Sequence, residues 1–178
     1  PLPRPALDLD LDDELHLTDA ALAAAIDALK PDMLQLHGKE APERVASVRS
    51  RFRLPVMKAL PIETRADLSP INSYAKVVDW LLFDGRAPRT ATRPGGLGKT
   101  FDWTLLERLN PGVPDMVAGG LDAENVAEAL RITRAPAVDV SSSVEREPGE
   151  KDPYKIRAFI RAAREADRML PDKVASSA

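Results

Sequence analysis

The 178-residue sequence contains no cysteine. As given, the chain therefore forms no disulfide, binds no metal through sulfur and has no thiol for catalysis. It has only two histidines, His16 and His37, and because they lie far apart in the sequence a histidine-based metal site is not expected. No segment approaches the roughly 18–20 apolar residues of a membrane span.

The sequence also lacks a strong excess of either charge. Its formal net charge is −3, with both signs interspersed among the 30% of residues that are charged. This is an ordinary solvated surface and not the basic face of a nucleic-acid-binding protein. The hydrophobic share of 44% indicates a globular domain. The Pro-rich opening is no signal peptide, so we expect a cytoplasmic protein. Since the chain begins without methionine, we also expect that an upstream segment is missing.

Short apolar segments alternate with longer amphipathic ones. After a first predicted helix at 18–30, strands are predicted at 32–36, 55–60, 79–83, 114–118 and 136–140. Helices are predicted after them at 41–52, 63–75, 102–110, 122–133 and 153–169, the second broken or kinked at Pro70. A polar loop is predicted at 141–152, and residues 5–13 are a poorer sixth strand. This alternation predicts an α/β fold with a parallel sheet.

An open doubly wound sheet and a closed (β/α)8 TIM barrel both fit this alternation. Polar residues or glycines end nearly every predicted strand, and they are His37-Gly38, Asp84, Gly119-Gly120, and Asp139 with Ser141–Ser143. Polar residues at the ends of many strands favour the barrel, because an open sheet concentrates its site at one switch point. Complete barrels need eight units, so we expect an incomplete one of about five or six. It would occupy residues 1–170 as one domain, followed by a disordered tail at 171–178.

Two loops at the end of the chain are candidates for binding phosphate. Gly119 and Gly120 lie between a strand and a helix, and Ser142 and Ser143 follow the next strand. In barrels of this type, the last two such loops bind phosphate through backbone N–H groups and a helix N-terminus. The alternative is a tight turn followed by solvated serine caps.

The segment RPGGLGKT at 93–100 is similar to a P-loop but is not one. The P-loop pattern requires glycine where Arg93 stands, and the segment does not directly follow its strand. A glycine-rich active-site lid is the favoured interpretation, and a plain flexible loop is the alternative.

Three polar side chains lie on or beside the predicted strands. Asp84 shares a strand face with Leu82 and is a candidate general acid or base, or else a structural loop cap. Lys58 is either a pocket cation or a core-edge residue whose ammonium reaches water. His37 and Gln35 share a face and either are satisfied core groups or face a site.

Together these segments resemble phosphoribosylanthranilate isomerase, a (β/α)8 barrel family. The matching segments are LQLHG, LLFD, PGGLGKTFDW, AGGLDAENVAEAL and VDVSSSVEREPGEKD, in the family's order and spacing, across roughly residues 31–160. The resemblance implies an Amadori rearrangement of N-(5-phosphoribosyl)anthranilate in tryptophan biosynthesis, without cofactor or metal.

The resemblance also implies residue roles. Asp84 is expected to be the general acid, His37 to lie in the substrate pocket and Asp139 at its wall. Gly119, Gly120, Ser142 and Ser143 are expected to hold the phosphate of a small-molecule substrate. The protein would be a monomer or homodimer.

The chain departs from the family in three places. The family's general base is a cysteine in a KICG strand, and its pocket arginine follows the second strand; neither is found in this chain, which we therefore expect to be truncated at its N-terminus and inactive alone. Ser143 replaces a usual glycine. Alternatives are a non-catalytic remnant that binds a phosphorylated ligand, or a related phosphosugar isomerase.

Overall fold

The structure, a computed structural model, describes residues 7–9, 18–85 and 100–170. Residues 93–99 of the predicted lid and the predicted tail at 171–178 lie outside these residues. So do the first residues of the chain and most of the segment between the first strand and the first helix.

Six parallel strands form one sheet in sequential order. They are β1 Leu7–Leu9, β2 Leu34–Leu36, β3 Val56–Ile62, β4 Trp80–Gly85, β5 Asp115–Val117 and β6 Ala137–Val138. β1 lies within the poorer sixth strand predicted at 5–13 and pairs in parallel with β2. The parallel sheet expected from the alternation of apolar and amphipathic segments is therefore confirmed.

Within the described residues, five α-helices and three short 3-10 helices accompany the strands. The α-helices are α1 Asp19–Leu29, α2 Pro42–Phe52, α3 Ile71–Ala75, α4 Val126–Thr133 and α5 Pro153–Met169. The 3-10 helices are Arg65–Leu68, Trp103–Leu106 and Ser142–Val144. Local sequence explains their starts: Thr18 accepts a hydrogen bond from the N–H of Ala21, and Pro42 occupies the first turn of α2. Pro70 separates the first 3-10 helix from α3, as expected from its missing N–H.

Two element predictions were wrong. The helix predicted at 102–110 is only the 3-10 turn Trp103–Leu106, because Glu107 already leaves the helical region at φ −59° and ψ 126°. The polar loop predicted at 141–152 contains the 3-10 helix and an antiparallel hairpin of β7 Glu145–Glu147 and β8 Glu150–Lys151. The hairpin carries charged side chains with little apolar alternation, so its sequence does not have the pattern of a half-buried strand.

The two faces of the sheet have different neighbours. One face packs against all five α-helices and forms the larger core, which includes Leu34, Val56, Leu81 and Val117. The other face carries a smaller apolar cluster of Met57, Ala59, Leu82 and Ala118, with Met33, Trp80 and Met116 at its margin. A doubly wound sheet would reverse its strand order and carry helices on both faces. Sequential strands with helices on one face form the wall of a (β/α)8 barrel, whose interior is the smaller cluster.

Among the helices of the described residues, none combines the length and the apolar character that crossing a bilayer requires.

Candidate active site

The first feature of the site is a close pair of side chains at the carboxyl ends of β2 and β4. Asp84 follows Trp80 and Leu82 along the inner face of β4, and His37 directly follows β2. The two side chains approach each other with 3.7 Å between His37 Nε2 and Asp84 Oδ2, and they are 11% and 8% exposed. A buried carboxylate beside an imidazole can hold or transfer a proton while little water reaches it.

Gly119 brings the next loop against this carboxylate. Its φ is +84°, and a Cβ there would lie 2.3 Å from the N atom of Gly85 and 2.6 Å from Oδ1 of Asp84. Only glycine satisfies both the backbone conformation and the close approach. The turn after β5 therefore lies directly against Asp84.

Six of the seven predicted site residues line one small recess. Its volume is about 40 Å³, and its lining residues include Asp84, Gly119, Gly120, Asp139, Ser142 and Ser143. Since a cavity of about 10–15 Å³ holds one water, the recess has room for a group of a few heavy atoms. His37 does not line the recess, but it lies beside Asp84, which does.

A hydrogen bond joins the two loops that border the recess, from the hydroxyl of Ser143 to the carbonyl of Leu121. Within the glycine turn, the side-chain amide of Asn125 donates to the carbonyl of Gly120 at 2.9 Å. In the described residues, the non-glycine positions with positive φ are Lys30, Arg53, Arg108 and Arg134. Ser143 is not among them, so a side chain in place of the family's usual glycine causes no backbone strain and instead links the loops.

A larger recess of about 550 Å³ lies elsewhere, between α2 and the start of β3 and β4. It is lined by residues such as Arg49, Arg53, Lys76 and Asp79 and contains none of the predicted site residues. Active sites of barrels lie at the carboxyl ends of the strands, whereas this recess lies at their amino ends. The smaller recess is therefore the candidate site.

Comparison with known proteins agrees with this geometry. Residues 18–162 match the family described as N-(5'phosphoribosyl)anthranilate (PRA) isomerase. The chain belongs to this family. A curated relative, the N-(5'-phosphoribosyl)anthranilate isomerase of Rhodopseudomonas palustris strain BisA53, is 62% identical over 151 residues, which are 85% of this chain and 69% of the relative.

Solved structures of the PRA isomerase family give the same result. The enzyme of Thermotoga maritima has a TM-score of 0.70 and 33% identity, over 82% of this chain and 68% of that one. A phosphoribosyl anthranilate isomerase in complex with reduced 1-(o-carboxyphenylamino)-1-deoxyribulose 5-phosphate has a TM-score of 0.64 and 29% identity, over 82% of this chain and 66% of its own. The chain thus spans about two thirds of the length of these family members.

Lys58 fits neither alternative that the sequence left open. It is paired in register with Leu36 and Leu81, which belong to the helix-facing core, so it does not project into the barrel interior. Its side chain is only 2% exposed, so the ammonium does not reach water. Burial lowers the pKa of Lys58, and the carboxylate of Glu40, 3.0 Å away, opposes that shift.

Lys151 supports the last loop of the site, a role that no pattern in the sequence indicates. Its ammonium donates to the carbonyl of Ser141 at 3.0 Å and to the hydroxyl of Ser141 at 3.1 Å. It also contacts Glu145 Oε1 at 2.7 Å. The lysine lies on β8, so the hairpin holds the start of the serine loop in place. Recognising this would have required predicting the hairpin.

Proposed function

We propose that this chain carries the general acid and the phosphate-binding loops of a phosphoribosylanthranilate isomerase. The reaction is the Amadori rearrangement of N-(5-phosphoribosyl)anthranilate to 1-(2-carboxyphenylamino)-1-deoxyribulose 5-phosphate. The observation that carries the proposal is the recess in which Asp84 forms one wall and the glycine and serine loops form the others. We also propose that the protein is cytoplasmic and is a monomer or a homodimer.

The rearrangement is an internal redox reaction that opens the ring and transfers protons, and so we propose that it needs no cofactor or metal. The furanose oxygen must receive a proton as its bond to C1 breaks, which leaves an imine at C1. The C2 proton must then be removed to form the enol amine, which gives the ketone when C1 is protonated and the C2 hydroxyl loses its proton. Asp84 is the proposed donor in the first step, since it is buried at the edge of the recess. The base of the second step is a cysteine by resemblance to the family, and this sequence has none.

His37 is proposed to contact substrate on the side of Asp84 that faces β2. The 3.7 Å separation leaves the imidazole within reach of a ligand atom that also touches the carboxylate. Asp139, which is exposed where it follows β6, is proposed to form the pocket wall on the opposite side.

The phosphate is proposed to bind between the turn of Gly119 and Gly120 and the serine loop. Within the described part of the chain, no lysine or arginine lines this recess. Backbone N–H groups are suited to this task, because glycine lets an anion approach the main chain closely. Ser142 begins the 3-10 helix that borders the recess.

Calorimetric titration with reduced 1-(o-carboxyphenylamino)-1-deoxyribulose 5-phosphate, the ligand named in the related complex, tests this proposal. We expect binding that inorganic phosphate competes away. Ser142→Asp should weaken binding at least about tenfold, because it places a carboxylate beside the phosphate. Ser50→Asp, in the larger recess, is the matched control and should bind as the parent chain does. Equal affinity of the parent chain and Ser142→Asp would refute this phosphate site.

A further inference from the structure

Lys58 holds the peptide on both sides of His37. Its ammonium donates to the carbonyl of Leu36 at 3.2 Å and to the carbonyl of Gly38 at 2.7 Å. These are the residues immediately before and after His37. A single buried cation therefore fixes both carbonyls that flank the histidine, and it does so from the face of the sheet opposite the barrel interior.

Glu40 completes this arrangement on the helix-facing side. Its Oε2 accepts a hydrogen bond from Lys58 at 3.0 Å, and its carbonyl accepts one from the hydroxyl of Tyr74 at 2.8 Å. The ring of Tyr74 has its centroid 5.9 Å from the ammonium of Lys58, within range of a cation–π contact. The ammonium of Lys58 thus binds the segment 36–40 at three of its residues, Leu36, Gly38 and Glu40.

Gly38 makes room for Glu40. A Cβ at position 38 would lie 2.8 Å from Oε1 of Glu40 and 3.3 Å from its Cδ, so the carboxylate occupies the space that a side chain would fill. This glycine needs no unusual φ to explain it. Its role is to admit the carboxylate that neutralises Lys58.

We infer that Lys58, with Glu40 as its counter-ion, is a positioning residue that sets the orientation of His37 toward Asp84. Three observations support this: the ammonium bonds to both flanking carbonyls, its charge is balanced within the same loop, and the imidazole it positions ends 3.7 Å from the proposed acid. A buried ammonium is costly unless its hydrogen bonds are all made, so the loop has one favoured conformation around it. The inference deepens the proposed function and rests on it for the catalytic meaning of His37.

The ring nitrogens of histidine provide a readout that does not depend on ligand or turnover. The chain has only two histidines, so the imidazole resonances of the ¹⁵N-labelled full chain are those of His16 and His37. In Lys58→Met we expect the His37 ring resonances to move by more than their line width while those of His16 stay in place. Glu40→Gln and Gly38→Ala should move them in the same direction by less, because each retains the lysine.

Asp79→Asn is the matched control. Asp79 accepts a hydrogen bond from the N–H of Val56, the first residue of β3, and pairs with Arg49, so its loss destabilises the same strand without touching the His37 loop. Its His37 resonances should equal those of the parent chain. If Lys58 served stability alone, Lys58→Met would lower the melting temperature and leave the His37 resonances unchanged, and the inference would be wrong. If Lys58→Met does not fold, Glu40→Gln and Gly38→Ala replace it: shifted His37 resonances would support the inference, and unchanged ones would contradict it.

Titration of the same variants with the reduced ribulose phosphate separates this inference from the proposed function. If the His37 resonances move in the variants but no protein binds the ligand, the parent chain included, the positioning role stands and the isomerase proposal fails. If the parent chain binds and Lys58→Met binds equally well with unmoved His37 resonances, the positioning inference fails and the isomerase proposal stands.

Discussion

Gly119 and Asp84 constrain each other at the carboxyl end of the sheet. The glycine has φ +84° and lies so close that its missing Cβ would meet the carboxylate and the backbone of Gly85. Alternating residues along 80–84 were sufficient to predict that Asp84 faces the same side as Leu82. The contact with Gly119 could not be predicted, because it depends on the distance between two strands and not on the pattern within either.

Two alanine substitutions separate backbone strain from steric contact. Gly149 has φ +85°, almost the value at Gly119, but a Cβ there meets nothing within 4 Å. Gly149→Ala should cost about 1–2 kcal/mol in the free energy of unfolding, the usual strain of an L-residue in this region. Gly119→Ala should cost about 1–3 kcal/mol more, because the added methyl displaces Asp84 or Gly85. Urea unfolding measures both, and equal losses would show that the contact at Gly119 relaxes freely.

At the scale of elements, most helices and strands followed from apolar periodicity and caps, with two exceptions. The break predicted at Pro70 separates the first 3-10 helix from α3, and Thr18 and Pro42 lie at the starts of α1 and α2. The β7–β8 hairpin was missed because ion pairs hold it, such as Lys151 with Glu145 and Arg146 with Glu150, so it has no apolar stripe to detect. The helix expected at 102–110 contained enough apolar residues but ended after one turn.

Asp79 links α2 to the start of β3, and its effect on stability should depend on pH. It accepts hydrogen bonds from Arg49 at 2.7 and 2.9 Å and from the N–H of Val56 at 2.9 Å. The hydrogen bond from Arg49 is the main cause that lowers the pKa of Asp79 below 3.8. A lowered carboxylate pKa gives stability that is fully present above the unfolded value and is lost as pH falls through the folded one.

Asp79→Asn should therefore cost about 1–3 kcal/mol in the free energy of unfolding at neutral pH, since it removes charge-assisted hydrogen bonds. The difference from the parent chain should shrink below pH 3.8, where the unfolded carboxyl is already protonated. Urea unfolding at a series of pH values measures this difference. A gap that stayed constant down to strongly acidic pH would mean that the ion pair with Arg49 contributes nothing.

At the scale of the whole molecule, the sequence predicted which residues share a strand face but not which face is the interior. Residues 56–60 are buried throughout, so alternation places Lys58 with Val56 and Leu60 without showing where either set points. The helices decide this, because every α-helix in the described ranges covers the face that carries Lys58. For the same reason Asp84 faces the barrel interior, and Lys58 contacts the His37 loop from the opposite side of the sheet. The division of the site into inner residues and outer supports is thus a property of the barrel wall.

The whole chain should bind ligand but isomerise it slowly, because its proposed acid is present and the family's base is not. With no cysteine in the sequence, removal of the C2 proton falls to water, and loss of a positioned base costs about 10²–10⁴-fold in rate. A small thiol such as β-mercaptoethanol, added in excess, should supply a thiolate and raise the rate in proportion to its concentration.

Asp84→Asn, which keeps the shape of the side chain, should bind the reduced ribulose phosphate but gain nothing from added thiol, since ring opening still lacks its proton donor. Anthranilate fluorescence follows the reaction in both proteins. Fast turnover without thiol would overturn the assignment of the base to cysteine, and equal rescue of Asp84→Asn would overturn the assignment of the acid.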